Sequence, residues 1–382
     1  GISLFVLIAA GMVFSYLRHL HWHEPVGRLP RALAVWFAWP LLVWPLLVLP
    51  FRSIYEPVDQ LNVRVVQPNI DPYTEKFGNQ TLREQLAPFE QLMTRPGADS
   101  IDLMVLPETA IPRRVDDNML KHRMPLKPIW QPGGLDSVSV LTGMVYLRKY
   151  GPEETRIPVS ASCAYRSETA TEPLYCWDTW NAATLFTPGK QPIPYQKAKL
   201  VPFSERVPYM ETLEALKKYE IDLGGGFGSF GLPDSIHILH THRGTGIAPI
   251  ICYESLFGDY VRGLVQRDAQ LLCILTNDGW WKQSSGYLQH AAYARLRAIE
   301  TRRWIARCAN TGESSFVSPT GKLHQPTGWW VKTTIDQRVD LLNGKTLYTR
   351  LGDWVGLLAV VLLPLIFIGW RFVPGIREKR PI

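Results

Sequence analysis

Three long runs of apolar residues without a charged side chain most constrain how this chain can fold. They cover residues 1–17, 32–51 and 354–370. A helix of about 20 apolar residues spans the hydrocarbon core of a bilayer, and about 17 residues are near the lower limit. Trp354 and Trp370 bound the third run, as aromatic residues do at membrane interfaces. We therefore predict three membrane-spanning helices, and a signal peptide is disfavoured at the first run because no basic segment precedes it.

The positions of the basic residues predict how these helices are oriented. The net charge of the chain is +7, and the loop 18–31 and the tail 372–382 contribute +2 each. Lys and Arg accumulate on the cytoplasmic side of membrane proteins, so we expect both segments to be cytoplasmic. The helix over 32–54 then runs outward, the helix over 353–371 runs back, and residues 55–352 form an extracytoplasmic domain. Because the basic surplus lies beside apolar runs, a nucleic-acid partner is disfavoured.

Within 55–352, short apolar runs alternate with amphipathic patterns, which predicts an α/β fold. A period near 3.6 residues indicates helices at 81–95, 255–268 and 287–304. Several apolar runs end in polar residues, and strand ends are where α/β enzymes place their sites. The predicted strands are 62–69, 102–108, 139–147, 181–188, 246–254 and 270–278.

Three residues at or near the ends of such runs are candidates for catalysis. Cys252 follows GIAPII and precedes the helical pattern SLFGDYVRGLV, and a helix N-terminus favours a thiolate. Glu108 closes DLMVLPE, where apolar surroundings raise a carboxyl pKa and suit the group to act as a base. Lys197 lies in PYQKAKLVPF, where an ammonium group can stabilise an oxyanion. Taken singly, they are equally compatible with a packed cysteine, an exposed glutamate and a surface lysine.

In combination, these residues and their motifs resemble the carbon–nitrogen hydrolase (nitrilase) superfamily. Glu in LPE, Lys in YxKxxLVPF and Cys in CYE occur in the chain order of that superfamily's Glu-Lys-Cys triad. With its flanking apolar runs, the chain is similar to the apolipoprotein N-acyltransferase family. That family usually has His and Gly where this chain has Lys199 and Ser204, and it typically has eight spans, so we expect N-terminal spans to be missing. Further motifs that carry the resemblance are VVQPNIDP (65–72), LVPFSERVP (200–208), PIICYESLFGD (249–259), TNDGWW (276–281) and residues 289–312.

The resemblance implies an α-β-β-α sandwich and an acyl transfer in two steps. Glu108 would take the proton of Cys252, Lys197 and backbone amides would stabilise the oxyanion, and an acyl thioester would form on Cys252. The donor would be a phospholipid, and the acceptor the free amine of a diacylglyceryl-cysteine lipoprotein. The enzyme would be a monomer in the bacterial inner membrane, with its catalytic domain on the periplasmic side.

The resemblance also implies supporting residues around the triad. Glu205 would hold the lysine in place, and Tyr253 and Glu254 would flank the nucleophile. Strand-end polar residues serve turns as often as sites, so the alternatives are a turn cap for Glu205, a core position for Trp280 and an Asx-turn for Asp278. The pocket or its loops would be formed by Asn181, Trp280, Asn277 and Asp278.

Other functions and cofactors are also considered. A membrane-tethered amidase or nitrilase would share the triad and transfer the acyl group to water. A non-catalytic paralogue in an assembly role is disfavoured by the intact triad. We expect no metal and no cofactor, because no CxxC pair occurs and GGGFG (224–228) lacks a phosphate-loop lysine. Cys163 and Cys176 flank a polar loop and can pair in an oxidising compartment.

Overall fold

A computed structural model divides the chain into two compact units, which are described separately. The first unit is residues 56–345, and the described part of the second is residues 346–358 and 360–362. The predicted segments 1–17, 18–31, 32–54 and 372–382 lie outside the described residues. The described residues are 56–73, 81–97, 100–122, 124–151, 153–154, 157–158, 160–165, 173–208, 230–358 and 360–362.

Fourteen strands form among the described residues of the first unit, and they include all six predicted from the sequence. In chain order they are β1 (Asp59–Gln67), β2 (Leu103–Val105), β3 (Ile111–Asp116), β4 (Ser139–Tyr150), β5 (Ser162–Tyr165), β6 (Pro173–Phe186), β7 (Pro194–Gln196), β8 (Leu239–His240), β9 (Gly246–Ile251), β10 (Leu271–Thr276), β11 (Trp304–Ala309), β12 (Ser315–Val317), β13 (Leu323–His324) and β14 (Thr333–Leu341).

These strands form two sheets. The first has the order β14-β1-β2-β4-β6-β5, with β3 paired to β4 and β7 to β6, and its neighbours β1, β2 and β4 run parallel. The second has the order β13-β12-β11-β10-β9-β8, and β9, β10 and β11 run parallel. Parallel neighbours end at the same edge of a sheet, so residues that follow these strands lie close together.

Helices cover the outer face of each sheet. The helix that packs on the first sheet begins with a capping box, in which the Thr81 side chain accepts from Glu84 N and the Glu84 carboxylate accepts from Thr81 N. The predicted helix 287–304 is shorter than expected, because Arg302 adopts a left-handed conformation and Trp304 begins β11. The helices of the first unit are α1 (Leu82–Met93), α2 (Asp117–His122), α3 (Lys127–Trp130), α4 (Gly258–Gln266) and α5 (Ser285–Thr301).

The main core lies between the two sheets, and strand β1 shows why. Val63 and Val65 belong to the core shared with β9, β10 and β11. Val66 faces the opposite way, into the core under α1, as the two-residue period of a strand requires. Arg64 on that same face donates to the carbonyl oxygen of Met93 at the end of α1. The layers are therefore helix, sheet, sheet, helix, and the predicted α/β fold is confirmed.

The second unit contains the start of the third apolar run. The helix α6 (Leu347–Leu351) is followed by helical residues at 354–358 and 360–362. Among the described residues, no helix has both the length and the apolar character needed to cross a bilayer. The span predicted at 353–371 extends beyond the described residues and stays a prediction.

Candidate active site

Strand ends from both sheets bring the three candidate catalytic residues together. Glu108 follows β2, Lys197 follows β7, and Cys252 follows β9. The ammonium Nζ of Lys197 lies 3.2 Å from Glu108 Oε1. The charges of Glu108 and Lys197 both act on the Cys252 thiol, and all three side chains are buried, where charges interact more strongly than in water.

A buried ammonium group is held between two carboxylates. Lys197 is only 1% exposed, and its Nζ lies 2.8 Å from Glu205 Oε1 in addition to its contact with Glu108. The side-chain amide of Asn181 donates to both carboxylates at 2.7 Å. Burial by itself lowers the pKa of Lys197, but the negative charges of Glu108 and Glu205 outweigh it, so the pKa is raised. The lysine therefore carries a fixed positive charge at neutral pH.

The second lysine of the same segment has different surroundings. Lys199 Nζ lies 5.5 Å from the centroid of the Phe257 ring and 5.9 Å from that of the Tyr260 ring. These distances are typical of cation–π contacts. Of the two lysines, Lys197 is the one that the structure places against the carboxylates.

Cys252 lies in a buried turn with an unusual backbone conformation. It begins the 3-10 helix Cys252–Leu256 with a φ of 47°, in the left-handed region that few residues other than glycine adopt. Burial, and after it the charge of Glu108, raise the pKa of the thiol above its usual range. The thiolate predicted from a helix N-terminus is therefore wrong, because α4 begins only at Gly258 and burial dominates. The thiol needs a base to remove its proton.

Glu254 connects the turn of the nucleophile to the segment that carries the lysine. Its Oε2 accepts from Ile251 N at 2.8 Å and from the Tyr195 hydroxyl at 2.9 Å, and its Oε1 accepts from Ala198 N at 2.7 Å. The side chain is fully buried, and burial raises its pKa. Because these donors come from both sheets, the carboxyl group holds the lysine and the cysteine at a set separation.

Gly143 in β4, which the sequence analysis does not single out, allows the main chain of Glu108 to approach the sheet. Gly143 N donates to Pro107 O at 3.1 Å. A Cβ atom on Gly143 would lie 2.5 Å from Pro107 O and Thr109 N and 2.7 Å from Glu108 Cα. These contacts are shorter than side chains tolerate, so the close approach requires glycine.

The two aromatic candidates pack against other rings on neighbouring loops. The Tyr253 and Phe257 ring centroids are 5.1 Å apart, and those of Trp280 and Tyr73 are 5.2 Å apart, both edge to face. Beside Glu108 there is a cavity of about 550 Å³, which is within the size range of small-molecule sites. Residues that line it include Ile70, Gln85, Pro88, Phe89, Ala110 and Asn310.

A protein family model matches most of the segment that contains the motifs named in the sequence analysis. The family model described as carbon-nitrogen hydrolase matches residues 62–345, about three quarters of the chain. The chain belongs to the carbon-nitrogen hydrolase family. The matched range contains the whole cluster around Lys197 and the turn of Cys252.

Curated relatives within the carbon-nitrogen hydrolase family carry the name apolipoprotein N-acyltransferase. The protein of Chlorobaculum tepidum is 35% identical over 308 residues, which cover 78% of this chain and 54% of the relative. The protein of Azotobacter vinelandii is 31% identical over 322 residues, which cover 84% of this chain and 54% of the relative. The resemblance drawn from the motifs is thus confirmed, and the chain spans about half the length of the curated relatives it matches.

Solved structures that are similar to this chain include members of the nitrilase superfamily. Nit3 of Saccharomyces cerevisiae, a member of branch 10 of the nitrilase superfamily, has a TM-score of 0.49 at 15% sequence identity. The match covers 74% of this chain and 91% of that chain.

Two further polar candidates of this carbon-nitrogen hydrolase are completely buried. Asn277 accepts from the amide of Asn310, in the loop after β11, at 3.1 Å, and Asp278 pairs at 3.0 Å with Arg307 within β11. Sequence reasoning includes Arg307 and His290 in the motif 289–312 but assigns no role to either, because their contacts with Asp278 and Cys252 join segments that are distant in the sequence. In the described part of the chain, no group of three or more His, Cys, Asp or Glu side chains is arranged to hold a metal ion.

A disulfide joins two strands of the first sheet. Cys163 in β5 and Cys176 in β6 lie opposite each other in the ladder and are bonded. The other three cysteines, Cys252, Cys273 and Cys308, are reduced and buried. The pairing considered from the sequence is therefore confirmed, and the nucleophile candidate is a free thiol.

Proposed function

We propose that this protein is an acyltransferase that N-acylates the diacylglyceryl-cysteine at the N-terminus of lipoproteins, with a phospholipid as the acyl donor. The observation that carries the proposal is the buried Glu108–Lys197–Glu205 cluster beside the free thiol of Cys252. The name of the curated relatives supports the choice of acyl acceptor. An intact cluster of this kind disfavours a non-catalytic role.

The first half-reaction forms a thioester. Glu108 removes the proton of the Cys252 thiol, and the thiolate attacks the ester carbonyl carbon of the phospholipid. The negative charge on the tetrahedral oxygen is stabilised by the Lys197 ammonium group and by backbone N–H groups of the turn. When the intermediate collapses, the glycerol oxygen leaves as a lysophospholipid and takes the proton back from Glu108.

The second half-reaction transfers the acyl group to nitrogen. The α-amine of the lipoprotein attacks the thioester carbonyl carbon and gives one proton to Glu108, and the oxyanion again lies near Lys197. Collapse expels the Cys252 thiolate, which regains its proton, and an amide is released. Water would compete with the amine for the thioester. The burial of Lys197 and Cys252 limits the access of water and so favours a transferase over a hydrolase.

A burst experiment tests the proposal and separates it from hydrolysis. Phospholipid alone should give one equivalent of lysophospholipid per protein and then almost stop, with the acyl group found on Cys252 by mass spectrometry. A diacylated lipopeptide with a free α-amine should restart turnover, and its N-acetylated copy should not. Steady release of free fatty acid without an acceptor would instead identify an amidase-like or esterase-like hydrolase.

We further propose that residues 55–352 face the periplasm of a bacterial inner membrane. The disulfide between Cys163 and Cys176 supports this, because disulfides persist in oxidising compartments and are rare in the cytosol. Glu153 is exposed on the loop after β4, so a Glu153→Cys variant offers a labelling site. It should react with a membrane-impermeant maleimide in intact spheroplasts, and labelling only after lysis would refute this orientation.

A further inference from the structure

A buried chain of polar groups ends on the backbone of the nucleophile. Arg307 Nη2 donates to Asp278 Oδ2 at 3.0 Å and to Oδ1 at 3.1 Å. His290 Nδ1 lies 3.2 Å from Asp278 Oδ1, and its Nε2 lies 3.1 Å from the carbonyl oxygen of Cys252. Ser255 Oγ donates to the same carbonyl oxygen at 2.8 Å. The four side chains are all buried, and the steps derived above use none of them.

The contacts fix where His290 carries a hydrogen. The carbonyl oxygen of Cys252 can only accept. Ser255 Oγ, which lies 3.0 Å from Nε2, gives its one hydrogen to that carbonyl oxygen at 2.8 Å, so it too can only accept from Nε2, and Nε2 is the donor to both. On the other side of the ring, Nδ1 either accepts from Arg307 Nη2, at 3.2 Å, or donates to the Asp278 carboxylate. Either arrangement leaves the hydrogen on Nε2. The ion pair therefore holds the ring in the orientation that donates to the nucleophile's carbonyl.

The direction of this carbonyl sets the direction of the next N–H group. A trans peptide unit is planar, so the C=O of Cys252 and the N–H of Tyr253 point in opposite directions. With its oxygen held by His290 and Ser255, the peptide unit presents the Tyr253 N–H on the side away from these donors. The hydrogen bonds also stabilise the left-handed conformation of Cys252, which would otherwise cost about 1–3 kcal/mol.

We infer that His290 is a positioning residue, which acts through the Cys252 carbonyl to aim the Tyr253 N–H at the oxyanion of the acyl-transfer step. The inference rests on Cys252 as the nucleophile of the proposed function, but not on the identity of the acyl donor or acceptor. His290 touches no reacting atom. Its effect is confined to steps that pass through a tetrahedral oxyanion, which distinguishes it from a residue that ionises the thiol.

Two substitutions of His290 separate its two contacts. In His290→Gln the amide nitrogen reaches about as far as Nε2 and can still donate to the Cys252 carbonyl. In His290→Asn the shorter amide reaches about as far as Nδ1, so the contact with Asp278 can remain but the donor to the carbonyl is lost. Ser255→Ala removes the second donor to the same oxygen, together with the 3.0 Å contact between Ser255 Oγ and His290 Nε2, but keeps the imidazole. This variant keeps the test available if a histidine variant does not fold.

The assay uses the whole chain in detergent and two probes of Cys252. The burst of nitrophenolate from p-nitrophenyl dodecanoate measures acylation, which passes through an oxyanion. Alkylation by iodoacetamide measures thiol reactivity and forms no oxyanion. Neither probe needs a phospholipid or a lipoprotein, so the result can be interpreted even if the proposed substrates are wrong. Thermal unfolding of each variant shows how much protein is folded.

We expect His290→Asn to slow acylation by about 10- to 100-fold, near the lower end of the loss caused by removing an oxyanion donor. His290→Gln should lose less than about fivefold and Ser255→Ala an intermediate amount, while the alkylation rate stays within about twofold in all three variants. Equal losses in acylation and alkylation would overturn the inference, because His290 would then act on the thiol. Unchanged acylation per folded protein would also overturn it, as would a wild-type protein without a nitrophenolate burst.

Discussion

Replacing Gly143 by Ala should misplace Glu108, the proposed base, without changing any of the three proposed catalytic side chains. The added Cβ would lie 2.5 Å from Pro107 O and Thr109 N, about 0.9 Å closer than the 3.4 Å at which ordinary contacts begin. All of the nearest atoms belong to the main chain around Glu108, so no flexible side chain can turn away. The strand end must therefore move by several tenths of an ångström up to about 1 Å.

A displacement of this size has separate effects on rate and stability. A misplacement of about 1 Å in a catalytic group can cost about 10²-fold in rate. Overpacking of a core typically costs about 1–3 kcal/mol of folding free energy. We expect Gly143→Ala to acylate Cys252 about 10²-fold more slowly, measured by the lysophospholipid burst in a rapid-quench experiment. Its melting temperature should fall by only a few degrees, so most of the protein remains folded during the assay.

Gly263 provides a matched control for the same chemical change. It lies within α4, and the nearest atom to an added Cβ is the flexible end of Arg267 at 3.5 Å. Alanine is favoured over glycine inside a helix by roughly 1 kcal/mol, so Gly263→Ala should be slightly more stable and fully active. If Gly143→Ala acylated as fast as Gly263→Ala, the close approach at Glu108 would not matter for catalysis and the reasoning would be refuted.

Three other predictions concern the charges and the disulfide. Lys197→Ala should slow acylation by roughly 10²-fold or more, because the oxyanion loses its cation. Lys199→Ala should keep most of the burst rate. The reverse order of the two rates would contradict our choice of lysine. Replacing Cys163 and Cys176 by Ser should lower the unfolding free energy by about 3 kcal/mol in denaturant titrations, with no further loss on adding reductant. Burial alone would raise the pKa of Asp278, but the charge of Arg307 outweighs it and the pKa is lowered. The ionised carboxylate therefore stabilises the fold above about pH 4, and this stabilisation is lost as the pH falls through the folded-state pKa. Asp278→Asn should therefore be less stable than wild type by about 3–5 kcal/mol at pH 7, and this gap should narrow on acidification; a gap independent of pH would argue against an ionised Asp278.

Strand positions, and the three candidate residues that the structure brings together, could be predicted from sequence because their signals are local. The runs that form β9 and β10 are continuously apolar and are buried on both faces, as the pattern requires. Glu108, Lys197 and Cys252 stand next to short motifs, so their identity did not depend on knowing the fold. The predicted helix after β10 was also found, although its end was placed three residues too late.

Other features of the site depend on contacts between distant segments and leave no local signal. Gly143 matters only because the main chain around Glu108 packs on it, and Glu108 lies 35 residues before Gly143 in the sequence. His290 lies on a helix 38 residues after the carbonyl to which it donates. The helix N-terminus read from the sequence predicts a lowered pKa for Cys252, whereas burial of the thiol, which no local pattern shows, raises it. Sequence patterns thus identify candidate residues, and tertiary packing determines their positions and charges.

The left-handed backbone of Cys252 also bears on how this position can evolve. A residue with a side chain at this φ is strained, whereas Gly would not be, and Asn or Asp would be strained less. A gene copy released from selection for chemistry would therefore gain stability from a change of Cys to Gly, which a single base change produces. Natural proteins are only marginally stable, so such changes would spread readily once activity was no longer required. If the proposed role of Cys252 is right, selection for chemistry must outweigh the backbone strain that cysteine carries at this position.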